Sequence, residues 1–175
     1  MSRSETQRDE VVEAPIARTR AELLGRIRTS RAALVAILDR LSDADLVRPH
    51  PAGGWPAIGH LTHLAAWERM LVAHLTDGTD HDIVRLTPDE YARASLDELN
   101  DRIYELHKDE TPDIVRPEFA DAHEAILRCI EGLSPEALAA RYWPDDERTV
   151  ANKIAGDTHL HYDEHRVWIL EMSER

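Results

Sequence analysis

Apolar residues recur at helical spacing along most of the chain. The first such segment begins at a capping box, in which Thr19 and Glu22 can accept the unpaired N–H groups of a helix N-terminus. Residues three or four positions apart fall on one face of an α-helix, so the pattern predicts an amphipathic helix of about six turns. Its apolar positions are Leu23, Ile27, Leu34, Ile37 and Leu41.

The same spacing predicts further helices and no strand. Pro117 is expected to kink or restart one of them, and the last is expected to be one uninterrupted helix capped by Thr149. No segment alternates with a period of two residues between hairpin turns. The predicted helical segments after the first are residues 55–77, 89–107 and 112–132, and a last one from residue 149 almost to the C-terminus.

These elements predict an all-α fold, a four-helix bundle with short connecting helices. Residues 1–18 are polar and have no periodicity, which is typical of a flexible tail. The remainder, residues 19–175, has the length of a single domain.

Composition and charge restrict the partners that we expect. The chain has 21 Lys and Arg against 34 Asp and Glu, a formal net charge of −13. Such a charge repels phosphate backbones and anionic lipids, so we expect no nucleic acid and no membrane as partner. Cys129 is the only cysteine, and the sequence has neither an apolar run of about 18 residues nor a signal peptide. These features predict a cytoplasmic protein.

Histidines are the residues most suited to chemistry in this chain. His161 and His165 are four residues apart, so on a helix their imidazoles face one side and can bind one ion. His159 is turned about 200° from His161 and is not expected to join them. With ten histidines such a pair also arises by chance, which leaves a structural role open. For a third ligand, the helical wheel places His60 nearer the centre of the apolar face than His63.

Two carboxylates, Glu68 and Asp157, also fall on predicted interior faces. Burying an unpaired carboxylate is costly, and neither is expected to have a Lys or Arg partner one turn away on the interior face. They are therefore candidate proton acceptors, or groups that fix a histidine tautomer. The alternative is that Glu68 reaches water or pairs with an arginine. The predicted pocket residues are His60, Trp67, Tyr104 and Trp168.

Three stretches of the chain together resemble a known family. Gly54-Trp55 is followed by His63, eight residues after the tryptophan, and residues 99–105 and 154–165 carry further matching positions. This combination resembles the DinB-like superfamily and, in particular, its ClbS/DfsB-type branch. The resemblance covers residues 19–170.

The resemblance implies a divalent transition metal, Zn²⁺ or Ni²⁺, in the core of the bundle. Its ligands would be His63, His161 and His165, which favours His63 over His60. The chain departs from the family pattern at Pro56, usually a serine or threonine, and at Asp157, usually an asparagine. The second departure puts an ionisable oxygen close to the implied metal.

Function in this superfamily is diverse and includes thiol transferases, thiol-dependent isomerases and self-resistance proteins. The resemblance implies a metal-dependent enzyme that adds water or a low-molecular-weight thiol to a small reactive electrophile. Such an enzyme would be a hydrolase or a thiol transferase, with Glu68 or Asp157 as the proton acceptor. The alternative is a non-catalytic bundle that binds a ligand or forms a homodimer, in which the histidines are structural.

Overall fold

A computed structural model describes residues 19–50, 54–144 and 147–173. The predicted tail, residues 1–18, lies outside the described residues. Within them, the only β pairing is an isolated bridge between Arg141 and Thr149, which confirms the prediction of an all-α chain. The described helices are α1 (Arg20–Leu38), α2 (Asp43–Leu46), α3 (Ala57–Leu75), α4 (Asp80–Ile83), α5 (Pro88–Arg93), α6 (Leu96–His107), α7 (Pro112–Gly132), α8 (Pro135–Ala139), α9 (Val150–Asp157) and α10 (His159–Ser173).

Four long helices, α1, α3, α7 and α10, form the bundle. Helix α3 packs mainly against α7, and α1 packs mainly against α10. Contacts of α3 with α10 and of α1 with α7 join the two pairs, while α4 and α6 lie against α3. None of the described helices is both long and apolar enough to cross a membrane.

The apolar stripes predicted from the sequence form the core. Leu23, Ile27 and Leu34 on α1 are buried, and they belong to the same cluster as Ile126 and Ile130 on α7. Burying a side chain of this size contributes about 1.5–3 kcal/mol to stability. The bundle is therefore held together by the faces that the periodicity identified.

Side-chain caps fix where several helices begin. The Thr19 hydroxyl accepts the N–H of Glu22 at 3.1 Å, and Thr149 forms a capping box at the start of α9. Pro56 is the N-cap of α3. Helix α7 continues through Pro117, so the predicted restart does not occur. This proline lies in the second turn, where its missing N–H removes a single hydrogen bond near the helix end.

The last helical segment differs from the prediction because it breaks at Thr158. This residue has φ −123° and ψ −103°, outside the helical region, and it separates α9 from α10. Its hydroxyl donates to the carbonyl oxygen of Ile154 at 2.5 Å, a side-chain bond that competes with regular helix pairing. Helical-wheel angles therefore cannot be carried across residue 158. His159 opens α10 and is buried.

Candidate metal centre

Three histidines from α3 and α10 meet at one point of the bundle. The Nε2 atom of His161 lies 3.0 Å from Nε2 of His63 and 3.0 Å from Nε2 of His165. All three potential ligand atoms lie within 4.8 Å of one another. Imidazole nitrogens bind Zn²⁺ at about 2.0–2.1 Å, which places two ligands of one tetrahedral ion about 3.4 Å apart, close to the spacing in this cluster. The structure brings together the three histidines that the resemblance implied.

The two helices supply this geometry in different ways. His161 and His165 are one turn apart on α10, and their ring centroids are 4.6 Å apart. His63 lies in the middle of α3, which contacts α10 directly, and its ring centroid is 4.9 Å from that of His161. The cluster therefore depends on the packing of α3 against α10.

Burial keeps the imidazoles of His63 and His165 neutral. Desolvation, with a smaller contribution from the neighbouring His161, lowers the pKa of His63 to about 2. The same causes hold the pKa of His165 far below its ordinary value. A neutral imidazole has a lone pair available for a metal. A set of three imidazole nitrogens fits Zn²⁺ or Ni²⁺ and does not suit Mg²⁺ or Ca²⁺, which prefer oxygen ligands.

His60, the ligand favoured by the helical wheel, lies behind the cluster and not in it. Its Nδ1 atom is 2.7 Å from Nδ1 of His165, and its ring packs against Trp168 with centroids 5.5 Å apart. When His165 uses Nε2 as a ligand atom, its proton is on Nδ1 and is donated to His60. A contact of this kind fixes the tautomer and the ring orientation of a metal-binding histidine.

Replacing His60 with alanine is expected to lower the metal affinity about 10- to 100-fold, because His165 loses the acceptor that orients its ring. Competition against a chromogenic chelator measures this affinity. Thr62→Ala is the matched control, since Thr62 is also buried on α3 but its hydroxyl donates to the carbonyl oxygen of Gly59 and not to a histidine of the cluster. Equal affinities of His60→Ala and the wild type would remove the orienting role.

A large cavity opens beside the histidine cluster. Its volume is about 1070 Å³, and His63, His161 and His165 are among the residues that line it. All four tryptophans of the sequence also line it: Trp55, Trp67, Trp143 and Trp168. Of the predicted pocket residues, Trp67 and Trp168 are therefore on the wall, whereas His60 and Tyr104 are not part of it.

Tyr104 supports the cavity wall from outside. Its ring stacks on Trp55 with centroids 5.5 Å apart and an interplanar angle of 5°. The absence of a side chain at Gly59 allows this approach, because a Cβ there would lie 3.1 Å from Cβ of Trp55 and 3.2 Å from the Tyr104 ring. Trp55 in turn contacts the ring of His63 at 5.1 Å, so the stack also borders the histidine cluster.

Asp157 lines the cavity four residues before His161. The ammonium group of Lys153 lies 2.8 Å from one of its carboxylate oxygens and 2.7 Å from the other. The expectation that Asp157 has no cation one turn away was therefore wrong. The i, i+4 spacing of Lys153 and Asp157 was the signal available in the sequence. Burial raises the pKa of Asp157, and the charge of Lys153 opposes that rise.

Glu68 is buried as predicted but lies away from the cavity wall. Its Oε1 atom accepts a hydrogen bond from the Tyr162 hydroxyl and lies 3.6 Å from Nδ1 of His123. Burial raises the pKa of Glu68, and its hydrogen bond with His123 and the charge of Arg31 oppose the rise. The structure thus separates the two predicted proton acceptors, with Asp157 facing the cavity and Glu68 facing the core.

Comparison with known proteins agrees with the resemblance drawn from the sequence motifs. The sequence model of the DinB superfamily matches residues 26–166. In sequence, no curated protein matches the chain.

Solved structures of the same fold extend over nearly the whole chain. A protein from Streptococcus pneumoniae is 13% identical, with a TM-score of 0.74 over 89% of this chain and 90% of that one. The colibactin self-resistance protein ClbS, crystallised in complex with dsDNA, is 17% identical, with a TM-score of 0.71 over 88% and 94%. DfsB, described as a sibling lethal factor precursor, is 16% identical, with a TM-score of 0.74 over 89% and 95%.

The ClbS structure overturns one expectation from composition. The net charge of −13 led us to exclude nucleic acid as a partner, and that exclusion was wrong, because a protein of this fold is crystallised with dsDNA. Net charge is a sum over the whole chain, whereas contact with DNA depends on the charges of one local surface. The net charge of the chain therefore does not decide whether the protein binds DNA.

Proposed function

The chain belongs to the DinB superfamily, and we propose that it is a metal-dependent enzyme that adds water or a low-molecular-weight thiol to a reactive electrophile. The observation that carries the proposal is the convergence of His63, His161 and His165 at the wall of a large cavity. Histidines with a purely structural role need no cavity beside them, whereas an active site needs a cavity that admits the substrate.

The three histidines would bind the ion through Nε2 and leave the side toward the cavity open. A divalent transition metal bound there supplies a Lewis acid that lowers the pKa of a coordinated water or thiol toward neutrality. His60 would hold the ring of His165 in place through the Nδ1 contact. None of these roles requires the four histidines to leave the positions described above.

Asp157 is the residue we assign as proton acceptor. It lines the cavity, and burial raises its pKa, which strengthens it as a base. The proton that it takes from the nucleophile would finally reach the atom of the opened bond that does not bind the nucleophile. The overall reaction is then the addition of H and the nucleophile across that bond. Lys153, bound to both carboxylate oxygens, fixes the position of Asp157.

The fold comparison supports a role in detoxification or self-resistance. ClbS is described as a self-resistance protein, and its fold covers 88% of this chain. The same structure supports a second candidate, a non-catalytic bundle that contacts DNA, since ClbS is crystallised with dsDNA. Mobility-shift titrations with duplex DNA at low and physiological salt test this candidate. A specific shift without turnover of any electrophile favours it over the enzyme.

The enzyme proposal is tested with metal-free protein and with protein reloaded with Zn²⁺ or Ni²⁺. An epoxide, an activated cyclopropane and a Michael acceptor are each offered with water alone and with several thiols. We expect turnover of at least one electrophile that requires metal and is lost in His63→Ala. Equal rates with and without metal, or with and without His63, would contradict the proposal.

Asp157→Asn is expected to lower turnover about 10²- to 10⁴-fold at full metal content, because the amide cannot accept the proton. Glu68→Gln is the matched comparison, since Glu68 lies away from the cavity wall and its amide keeps an oxygen for the Tyr162 hydroxyl. The sequence alone favoured neither Glu68 nor Asp157 as the proton acceptor. A large loss in Glu68→Gln with none in Asp157→Asn would reverse the assignment.

A further inference from the structure

Three aromatic rings in the wall of the cavity surround one cation. The Nζ atom of Lys153 lies 5.4 Å from the ring of Trp67, 5.8 Å from that of Tyr142 and 5.7 Å from that of Trp143. All four residues line the cavity. We call the three rings the aromatic box.

Neighbouring groups hold the aromatic box in shape. Tyr142 stacks on His74 with ring centroids 4.2 Å apart, and it meets Trp143 edge to face at 4.4 Å. The Trp67 indole N–H donates to the side-chain oxygen of Asn100 at 3.2 Å. Because the rings are fixed by these contacts, the aromatic box is formed before any ligand arrives.

The rim of the cavity carries exposed apolar side chains that are not buried in the core of the bundle. Trp143 is 41% exposed, Leu96 is 42% exposed and Trp168 is 41% exposed, and all three line the cavity. Exposed apolar groups gathered at one opening are typical of a ligand-binding groove. One of them, Trp168, also contacts the ring of His165, with centroids 4.9 Å apart.

Lys153 gives the aromatic box a hydrogen-bond donor. An ammonium group carries three N–H donors and no acceptor, and the Asp157 carboxylate lies close enough to take one or two of them. A remaining donor can reach an oxygen atom on a ligand in the cavity. The π faces of Trp67 and Trp143 are suited to a flat ring, because aromatic rings stack or meet edge to face.

We propose that the aromatic box is a recognition subsite for a planar aromatic group that carries an oxygen acceptor, such as an aromatic amide or carboxylate, with Lys153 as the donor to that oxygen. The proposal rests on the proposed function and names its substrate class. The aromatic box holds the unreactive part of the substrate, and the electrophilic part lies beside the three histidines that line the same cavity.

The size of the cavity agrees with a substrate of two parts. At about 1070 Å³ it slightly exceeds the range of about 300–1,000 Å³ that is usual for pockets of drug-sized ligands, and a small epoxide alone would leave most of it empty. The substrate class is therefore an elongated aromatic electrophile. Binding of the aromatic part alone is expected to be measurable.

Isothermal titration of the full-length protein with two probes tests the subsite. The first is 2-naphthamide, and the second is decahydronaphthalene-2-carboxamide, which has the same amide and no π face. We expect the wild type to bind 2-naphthamide about tenfold more tightly or better. Trp143→Ala should weaken that binding about tenfold, and Trp143→Phe should retain most of it. Ile114→Ala is the control, as Ile114 is an exposed apolar residue outside the cavity wall.

Lys153→Met is expected to weaken 2-naphthamide binding and to leave binding of unsubstituted naphthalene unchanged, because only the amide has an acceptor for Lys153. Equal affinity of wild type for the two amides, absence of 2-naphthamide binding, or unchanged binding in both Trp143→Ala and Lys153→Met would overturn the subsite. The titration is repeated in His161→Ala. Retained 2-naphthamide binding there supports the subsite even where the metal proposal fails.

Discussion

His161→Ala is expected to lower the metal affinity of the protein by several orders of magnitude. Its Nε2 atom lies 3.0 Å from those of both His63 and His165, so this residue links the two helices at the centre. Two histidines seldom complete a protein metal site, and the remaining pair would come from separate helices. Wild-type protein grown with Zn²⁺ or Ni²⁺ and purified without a histidine tag should hold about one ion per chain. Elemental analysis after gel filtration measures the metal content of the wild type and of His161→Ala.

Two other histidines serve as controls for that measurement. His159→Ala is expected to keep the metal, because His159 lies outside the three-histidine cluster. It is buried at the start of α10, so its loss should lower stability without changing metal content. His107→Ala removes a histidine that contacts Glu110 at 2.8 Å. This variant should change neither the stability nor the metal content. Loss of metal in His159→Ala together with full content in His161→Ala would show that a different set of histidines binds the ion.

The fold was predictable because the apolar stripes are regular. The step from Leu23 to Ile27 and on to Leu34 places these side chains on one face, and the structure buries all of them. The break at Thr158 was not predictable from periodicity, since Ile154 and Ile169 are both buried on either side of it. The break depends on a side-chain hydrogen bond to the backbone, and a pattern of apolar positions does not contain that information.

The candidate site was predictable only in part. The spacing of His161 and His165 identified the pair on α10, but the helical wheel favoured His60 as the third metal ligand. Both His60 and His63 are buried on α3, so burial does not distinguish them. What distinguishes them is where α10 packs across α3, which no local pattern encodes. The family resemblance contained that information, and the structure places His63 in the cluster.

A second cluster of polar groups lies in the core, with one residue from each long helix. Arg31 on α1, Glu68 on α3, His123 on α7 and Tyr162 on α10 are all buried. Tyr162 donates to Glu68 and lies 3.0 Å from Nδ1 of His123, and the Arg31 guanidinium lies 5.4 Å from the Tyr162 ring centroid. Because Tyr162 directly follows His161, this polar layer also fixes the rotation of α10 that brings the histidine ligands to His63.

Arg31→Met is expected to destabilise the protein by about 3–5 kcal/mol, because it leaves Glu68 buried without its compensating positive charge. It also deprives the Phe119 carbonyl oxygen of the hydrogen bond that Arg31 donates at 2.7 Å. For a chain of this length the melting temperature should fall by roughly 6–20 °C. Urea unfolding of metal-free protein measures the free energy directly.

Arg28→Met is the matched control, since Arg28 forms an exposed ion pair with Glu131 at 2.9 Å, and it should cost about 0–1 kcal/mol. The double variant Arg31→Met with Glu68→Gln should regain part of the loss, because glutamine carries no charge and keeps an oxygen for the Tyr162 hydroxyl. If Arg31→Met costs no more than Arg28→Met, the polar layer is not held by charge. If it costs several kcal/mol and the double variant regains nothing, packing of Arg31 on the Phe119 ring, 3.2 Å from its centroid, is the dominant contribution.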